Sequence, residues 1–89
     1  MMFESPNIYD FPCPISIKAI GDDRDDYLQF VIDTMISVVG EIDVQSITTR
    51  SSNGNKYLAV TVPFTAKDRE QLESVFQALN QDVRTKFIV

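Results

Sequence analysis

Between positions 14 and 21 apolar and polar residues alternate, with Ile15, Ile17 and Ala19 on one side and Ser16, Lys18 and Ile20 on the other. A period of two sends successive side chains to opposite faces of a strand, so this stretch predicts a half-buried β-strand closed by Gly21. After four aspartates the period lengthens: Leu28, Val31, Ile32, Met35, Ile36 and Val39 recur at steps of three and four. That spacing predicts a helix with its apolar stripe on those residues, acids at its positive end and Gly40 as its stop. Residues 43–51 are rich in Val, Ile and Thr, but the apolar phase changes between Val44 and Ile47. They predict an edge strand that holds a bulge, in a register the pattern leaves open. Ser52-Asn53-Gly54-Asn55 predicts a hairpin, because these residues tolerate positive φ. In the next strand Leu58, Val60, Val62 and Phe64 face one way and Tyr57, Ala59 and Thr61 the other. Its expected end is near Pro63, since proline has no N–H to give an interior ladder. Thr65 and Asp68 resemble a shortened capping box, and Leu72, Val75, Phe76 and Leu79 form the stripe of a second helix ending at Asn80. A last strand runs from about Val83 to Val89, with Thr85, Phe87 and Val89 on one face and Arg84, Lys86 and Ile88 on the other.

The order β-α-β-β-α-β with one apolar stripe per helix predicts an α+β, ferredoxin-like sandwich. Four antiparallel strands in the order 4-1-3-2 would carry both helices on one face. The two cleanly alternating strands then lie in the centre and the irregular one at an edge. Residues 1–10 show no period and are expected to be a flexible tail, leaving residues 11–89 as the domain.

Composition mainly removes functions. The 89 residues include no histidine and one cysteine, so one chain cannot assemble a Ser-His-Asp triad, a Cys-His pair or a His/Cys metal site. Thirteen acids against eight bases give a net charge of −5, which argues against a nucleic-acid partner. The start of the chain carries no basic and apolar leader, and no stretch reaches the ~18–20 apolar residues of a membrane span. A lone Cys13 makes no internal disulfide, so a cytoplasmic, non-enzymatic protein without a cofactor is expected. Asp22-Asp23-Arg24-Asp25-Asp26 matches the DDxxD pattern that holds magnesium-diphosphate, but that chemistry needs a large helical cavity and a second acidic cluster. The cluster reads instead as helix N-terminal charge.

Three chemistries hosted by ferredoxin-like domains also lack their residues. An RNA reader needs stacking aromatics on the open faces of both central strands, where only Tyr57 is expected. An acyl-phosphatase needs an arginine in the loop that here reads Gly21-Asp22-Asp23, and a metallochaperone needs CxxC. The sheet face opposite the helices remains. There Lys18, Arg84 and Lys86 are expected to gather with Ile20 and Tyr57, and Gly21 to allow a tight exit from the first strand. An apolar patch rimmed by charge meets a partner more often than an idle face does.

Phe11-Pro12-Cys13-Pro14-Ile15-Ser16-Ile17-Lys18-Ala19-Ile20-Gly21 resembles the FPxxFxxKxxG opening of the YbeD-like family of small bacterial proteins without established activity. The likeness extends over residues 9–89, through the Ser51-Ser52, Gly54 and Tyr57 hairpin and the helix segment Leu72 to Phe76. Here the glycine and tyrosine of the hairpin stand one residue further apart than in that family. The resemblance implies an ACT-like module, of a kind that binds small molecules at dimer interfaces, and a link to lipoate metabolism through neighbouring genes. An ACT-type carboxylate ligand near the loop after the first strand would face the four aspartates. Two functions are therefore expected to compete. One is a regulatory or protein-interaction module, homodimeric or bound to a protein partner, acting through Lys18, Ile20, Gly21, Tyr57, Arg84 and Lys86. The other is a sensor binding a small-molecule effector at a dimer interface.

Overall fold

In the computed structural model the described residues are 11–52, 54 and 56–89, so the expected tail at 1–10 lies outside them. The chain runs through β1 (Cys13–Asp22), α1 (Tyr27–Val39), a 3₁₀ turn (Val44–Ser46), β2 (Thr48–Ser51), β3 (Tyr57–Ala66), α2 (Arg69–Asn80) and β4 (Thr85–Ile88). The strands form one antiparallel sheet in the order β2-β3-β1-β4, the expected ferredoxin-like arrangement. β1 and β3 pair from Cys13 opposite Ala66 to Asp22 opposite Tyr57. One sheet face supplies Ile17, Ala19, Val60, Val62, Phe64 and Ala66 to the core, and the helices supply Tyr27, Val31, Met35, Leu72, Val75 and Leu79. Each large member removed from water contributes about 1.5–3 kcal/mol, which is how both helices are held to one side of the sheet.

Four local features differ from those expected. β3 does not stop near Pro63 but continues to Ala66. The Tyr57 carbonyl accepts from the Ser52 N–H on the β2 side, at 2.9 Å, while the Lys56 carbonyl accepts from Asp23 on the β1 side, at 3.1 Å. Alternation then turns the nitrogen of Pro63 toward β2, whose pairing ends at Thr48 opposite Thr61. The missing donor falls where no described strand requires it.

The second strand is shorter than residues 43–51. Val44–Ser46 coils into the 3₁₀ turn, with Asp43 accepting from the Gln45 N–H at 3.2 Å and the Ser46 hydroxyl at 2.7 Å. This turn accounts for the phase change between Val44 and Ile47. Helix α1 is rotated from its expected stripe: Tyr27, Val31 and Met35 are buried, whereas Ile36 is 43% exposed. Finally, the capping box belongs to Asp68 and Gln71, not to Thr65. Asp68 accepts from the Gln71 N–H at 2.8 Å, and Gln71 returns a bond by accepting from the Lys67 N–H at 2.7 Å.

Candidate functional site

Residues directly opposite one another on antiparallel strands project to the same face, so the register builds the open side of the sheet. Lys18 stands opposite Thr61, Ile20 opposite Ala59 and Asp22 opposite Tyr57. From β2, Arg50 joins them opposite Ala59. From β4 the neighbour of Ile20 is Phe87, while Ile88 lies opposite Ala19 on the core side. Phe87 and Ile88 thus exchange their expected faces, and the cause is a bulge. The register passes from Ile20 opposite Phe87 to Gly21 opposite Thr85, leaving Lys86 as an extra residue. One added residue inverts the side-chain phase beyond it, so Thr85 and Lys86 keep their expected faces while Phe87 turns to the open face and Ile88 to the helices.

Ile20, Tyr57, Lys86 and Phe87 line a cavity of about 310 Å³. Of these, Phe87 is 66% exposed. Lys18 and Arg50 are exposed on the same face. The Lys56 ammonium lies 5.5 Å from the centre of the Tyr57 ring, and that of Lys86 lies 3.7 Å from the Asp22 carboxylate. The structure therefore brings Lys18, Ile20, Tyr57 and Lys86 together as expected, and adds Arg50, Lys56 and Phe87.

Arg84 does not join this face. It precedes β4, where the chain crosses the end of the sheet, and its guanidinium lies 5.6 Å from the Tyr27 ring centre and 5.1 Å from that of Phe30. The Asp82 carboxylate grips it through two bonds, 2.9 Å from Nε and 2.8 Å from Nη2. Its remaining terminal nitrogen, Nη1, donates to the carbonyls of Arg24 at 3.1 Å and Asp25 at 2.6 Å. Those carbonyls belong to a loop in which Asp25 and Asp26 have φ of 54° and 56°. Left-handed backbone costs a non-glycine residue roughly 1–2 kcal/mol, and the Arg84 clamp helps to hold it. Arg84 is thus a fastener of the loop between β1 and α1.

Its grip holds the Asp82 carboxyl at about 2, below the ordinary 3.8. A carboxylate whose folded-state value is depressed contributes stability above its ordinary value and loses that contribution as pH falls through the folded value. Thermal melts should therefore show a component lost between about pH 4 and pH 2 that is missing in Asp82→Asn. Equal acid dependence of the two proteins would show that this pair does not hold the loop.

Gly21 serves close approach and not a turn, because its φ is not positive. A Cβ there would lie 2.5 Å from Tyr27 Cζ and 2.7 Å from the Arg84 carbonyl oxygen. The Tyr27 hydroxyl, held against this glycine, shares a 2.8 Å hydrogen bond with Thr85 Oγ1, and burial raises its pKa. Three of the four aspartates after Gly21 are separately engaged through their carboxylates. Arg24 lies 3.7 Å from Asp22 and 3.0 Å from Asp25, and Asp26 caps α1 by accepting from the Gln29 N–H at 3.4 Å. Of the four, only Asp26 serves as charge at the start of the helix, and its first turn carries no acid. Among the described residues no three metal-ligating side chains converge. Cys13 is half-buried, its thiol 3.8 Å from the Pro14 carbonyl. A shallow depression of about 570 Å³ at the far end lies between Val39, Ile42, Phe64 and Lys67, and none of the expected site residues lines it. No helix among the described residues is long and apolar enough to cross a membrane.

Known proteins resemble this chain in sequence and in fold. Residues 6–89 match the family model described as a protein of unknown function, DUF493. A UPF0250 protein of Paraburkholderia phytofirmans is 28% identical over 83 residues, covering 93% of each chain. Another from Nitrosomonas europaea is 30% identical over 74 residues, covering 83% of this chain and 85% of the relative. The solution structure of protein HP0495 from H. pylori superposes with a TM-score of 0.75 at 14% identity, covering 97% of this chain and 89% of that one. That likeness supports the fold alone. The YbeD-like resemblance read from Phe11 to Gly21 is borne out by these matches.

Proposed function

This chain belongs to the DUF493 family of proteins of unknown function, and from that premise we propose that it is a non-enzymatic protein-interaction module whose working surface is the open sheet face. One observation carries the reading. The bulge in β4 turns the aromatic ring of Phe87 outward, 66% exposed, beside Ile20, Tyr57 and Lys86 on a face that neither described helix covers. Exposing an aromatic side chain forgoes the gain of burying it, so a surface that does so around a cavity is built to be covered. The cavity lies at the lower end of the roughly 300–1,000 Å³ that small-molecule sites occupy, a size that suits one inserted side chain. The loop after β1, where the sensor reading would place its ligand, is filled by the Arg84 guanidinium and the Tyr27 ring.

Affinity capture from source-cell lysate followed by mass spectrometry tests this reading. Phe87→Ser should retain the wild-type melting temperature within about 2 °C, because Phe87 lies outside the core, and should lose the captured partner. A variant that captures the same proteins in the same yield would overturn the open-face reading.

A further inference from the structure

The charge on the open face identifies the chemistry of its occupant. The chain carries eight basic residues within a net charge of −5. Four of them, Lys18, Arg50, Lys56 and Lys86, stand on or over the open face. The described strand residues place one carboxylate there, Asp22, and it is already shared between Lys86 and Arg24 at 3.7 Å each. An acidic protein has thus kept a cationic rim around an apolar cavity. Resting on the open-face reading above, we infer that the occupant is an acidic segment of another protein. That segment carries one bulky apolar side chain for the cavity lined by Ile20, Tyr57, Lys86 and Phe87, with flanking carboxylates directed to Lys18, Arg50 and Lys56.

Two other occupants are opposed by the same charges. A second copy placed face to face would set four cations against four, within the ~8 Å over which physiological salt leaves charges in contact. A nucleic acid gathers affinity from many phosphates and from long-range attraction, which a protein of net charge −5 does not provide. A short acidic peptide senses mainly the local rim. Such rim charges remain hydrated, so they set partner choice and association rate while the apolar side chain holds the complex.

Selection from a random peptide library displayed on phage, with the full chain as bait, tests this inference. Selected peptides are then titrated into isotope-labelled protein by NMR. The expected winners combine glutamate or aspartate with one Phe, Leu, Ile or Trp, and shift the amides of Lys18, Ile20, Arg50, Tyr57 and Phe87. Their affinity should fall about tenfold in the Lys18→Glu, Lys86→Glu double variant, and also when salt rises from about 50 to 300 mM. The Lys18→Glu single variant, altered at an exposed side chain, should show a smaller loss in the same direction and guards against misfolding of the double variant. Basic or uncharged winners that still shift the open face would overturn the acidic occupant and leave the open-face reading standing. Winners that shift only other surfaces, or a selection without enrichment, would overturn the acidic occupant, and the Phe87→Ser capture result then decides the broader reading separately. Tighter binding of a single-stranded oligouridine, or self-association that the double variant abolishes, would overturn it in favour of nucleic acid or a second copy.

Discussion

Replacing Gly21 by alanine is expected to cost about 3 kcal/mol and to lower the melting temperature by roughly 15 °C, as befits a small domain with an overpacked core. The new methyl would meet the Tyr27 ring at 2.5 and 2.8 Å and the Arg84 carbonyl at 2.7 Å. The ring can yield only by disturbing its bond to Thr85 and its contact with the Arg84 guanidinium. The carbonyl cannot yield without the backbone of the bulged strand, because it accepts from the Asp22 N–H at 2.8 Å. Gly40→Ala provides the contrast. That glycine has φ of +93° and nothing within 4 Å of where a methyl would stand, so its loss reflects backbone strain alone, about 1 kcal/mol. Equal melting temperatures for the two variants would show that close approach at Gly21 does not constrain the fold.

A second large effect separates two adjacent residues of α1. Met35 is wholly buried and Ile36 is 43% exposed. Met35→Ala should destabilise by about 3 kcal/mol through lost burial and the cavity left behind, whereas Ile36→Ala should cost less than about 1 kcal/mol. Urea unfolding of both variants reads the difference directly, as a shift in midpoint at constant slope. A larger loss at Ile36 would mean that the helix presents the face its apolar spacing suggests and not the one seen.

That contrast also shows what the sequence conveys and what it withholds. The architecture was legible because β1 and β3 alternate cleanly and each helix carries one run of apolar residues, so the layers have a single way to bury them. The rotation of α1 was not. Tyr27 follows a run of aspartates and looks like part of the polar loop, yet its ring fills the space beside Gly21, which draws Val31 and Met35 inward and leaves Ile36 at the flank. At the candidate site, Lys18, Ile20 and Tyr57 follow from alternation within their own strands. Phe87 does not, because a bulge at Lys86 leaves no mark in residue type and inverts only what comes after it, and Arg84 does not, because it stands before the strand begins. Nor does local pattern reveal a clamp that joins Arg84 to carbonyls some sixty positions earlier in the chain. The spacing of Asp82 and Arg84, two residues apart before a strand, is the one local hint of the fork.

Pro63 has a consequence for behaviour at high concentration. Past Thr61, β3 has no described strand beside it on the β2 side, and such an unpaired stretch ordinarily invites another molecule to dock edge to edge and begin a precipitate. The first backbone nitrogen that an intruding strand would need there belongs to Pro63 and bears no hydrogen. A residue that reads in the sequence as a threat to the sheet thus acts as its gatekeeper against aggregation.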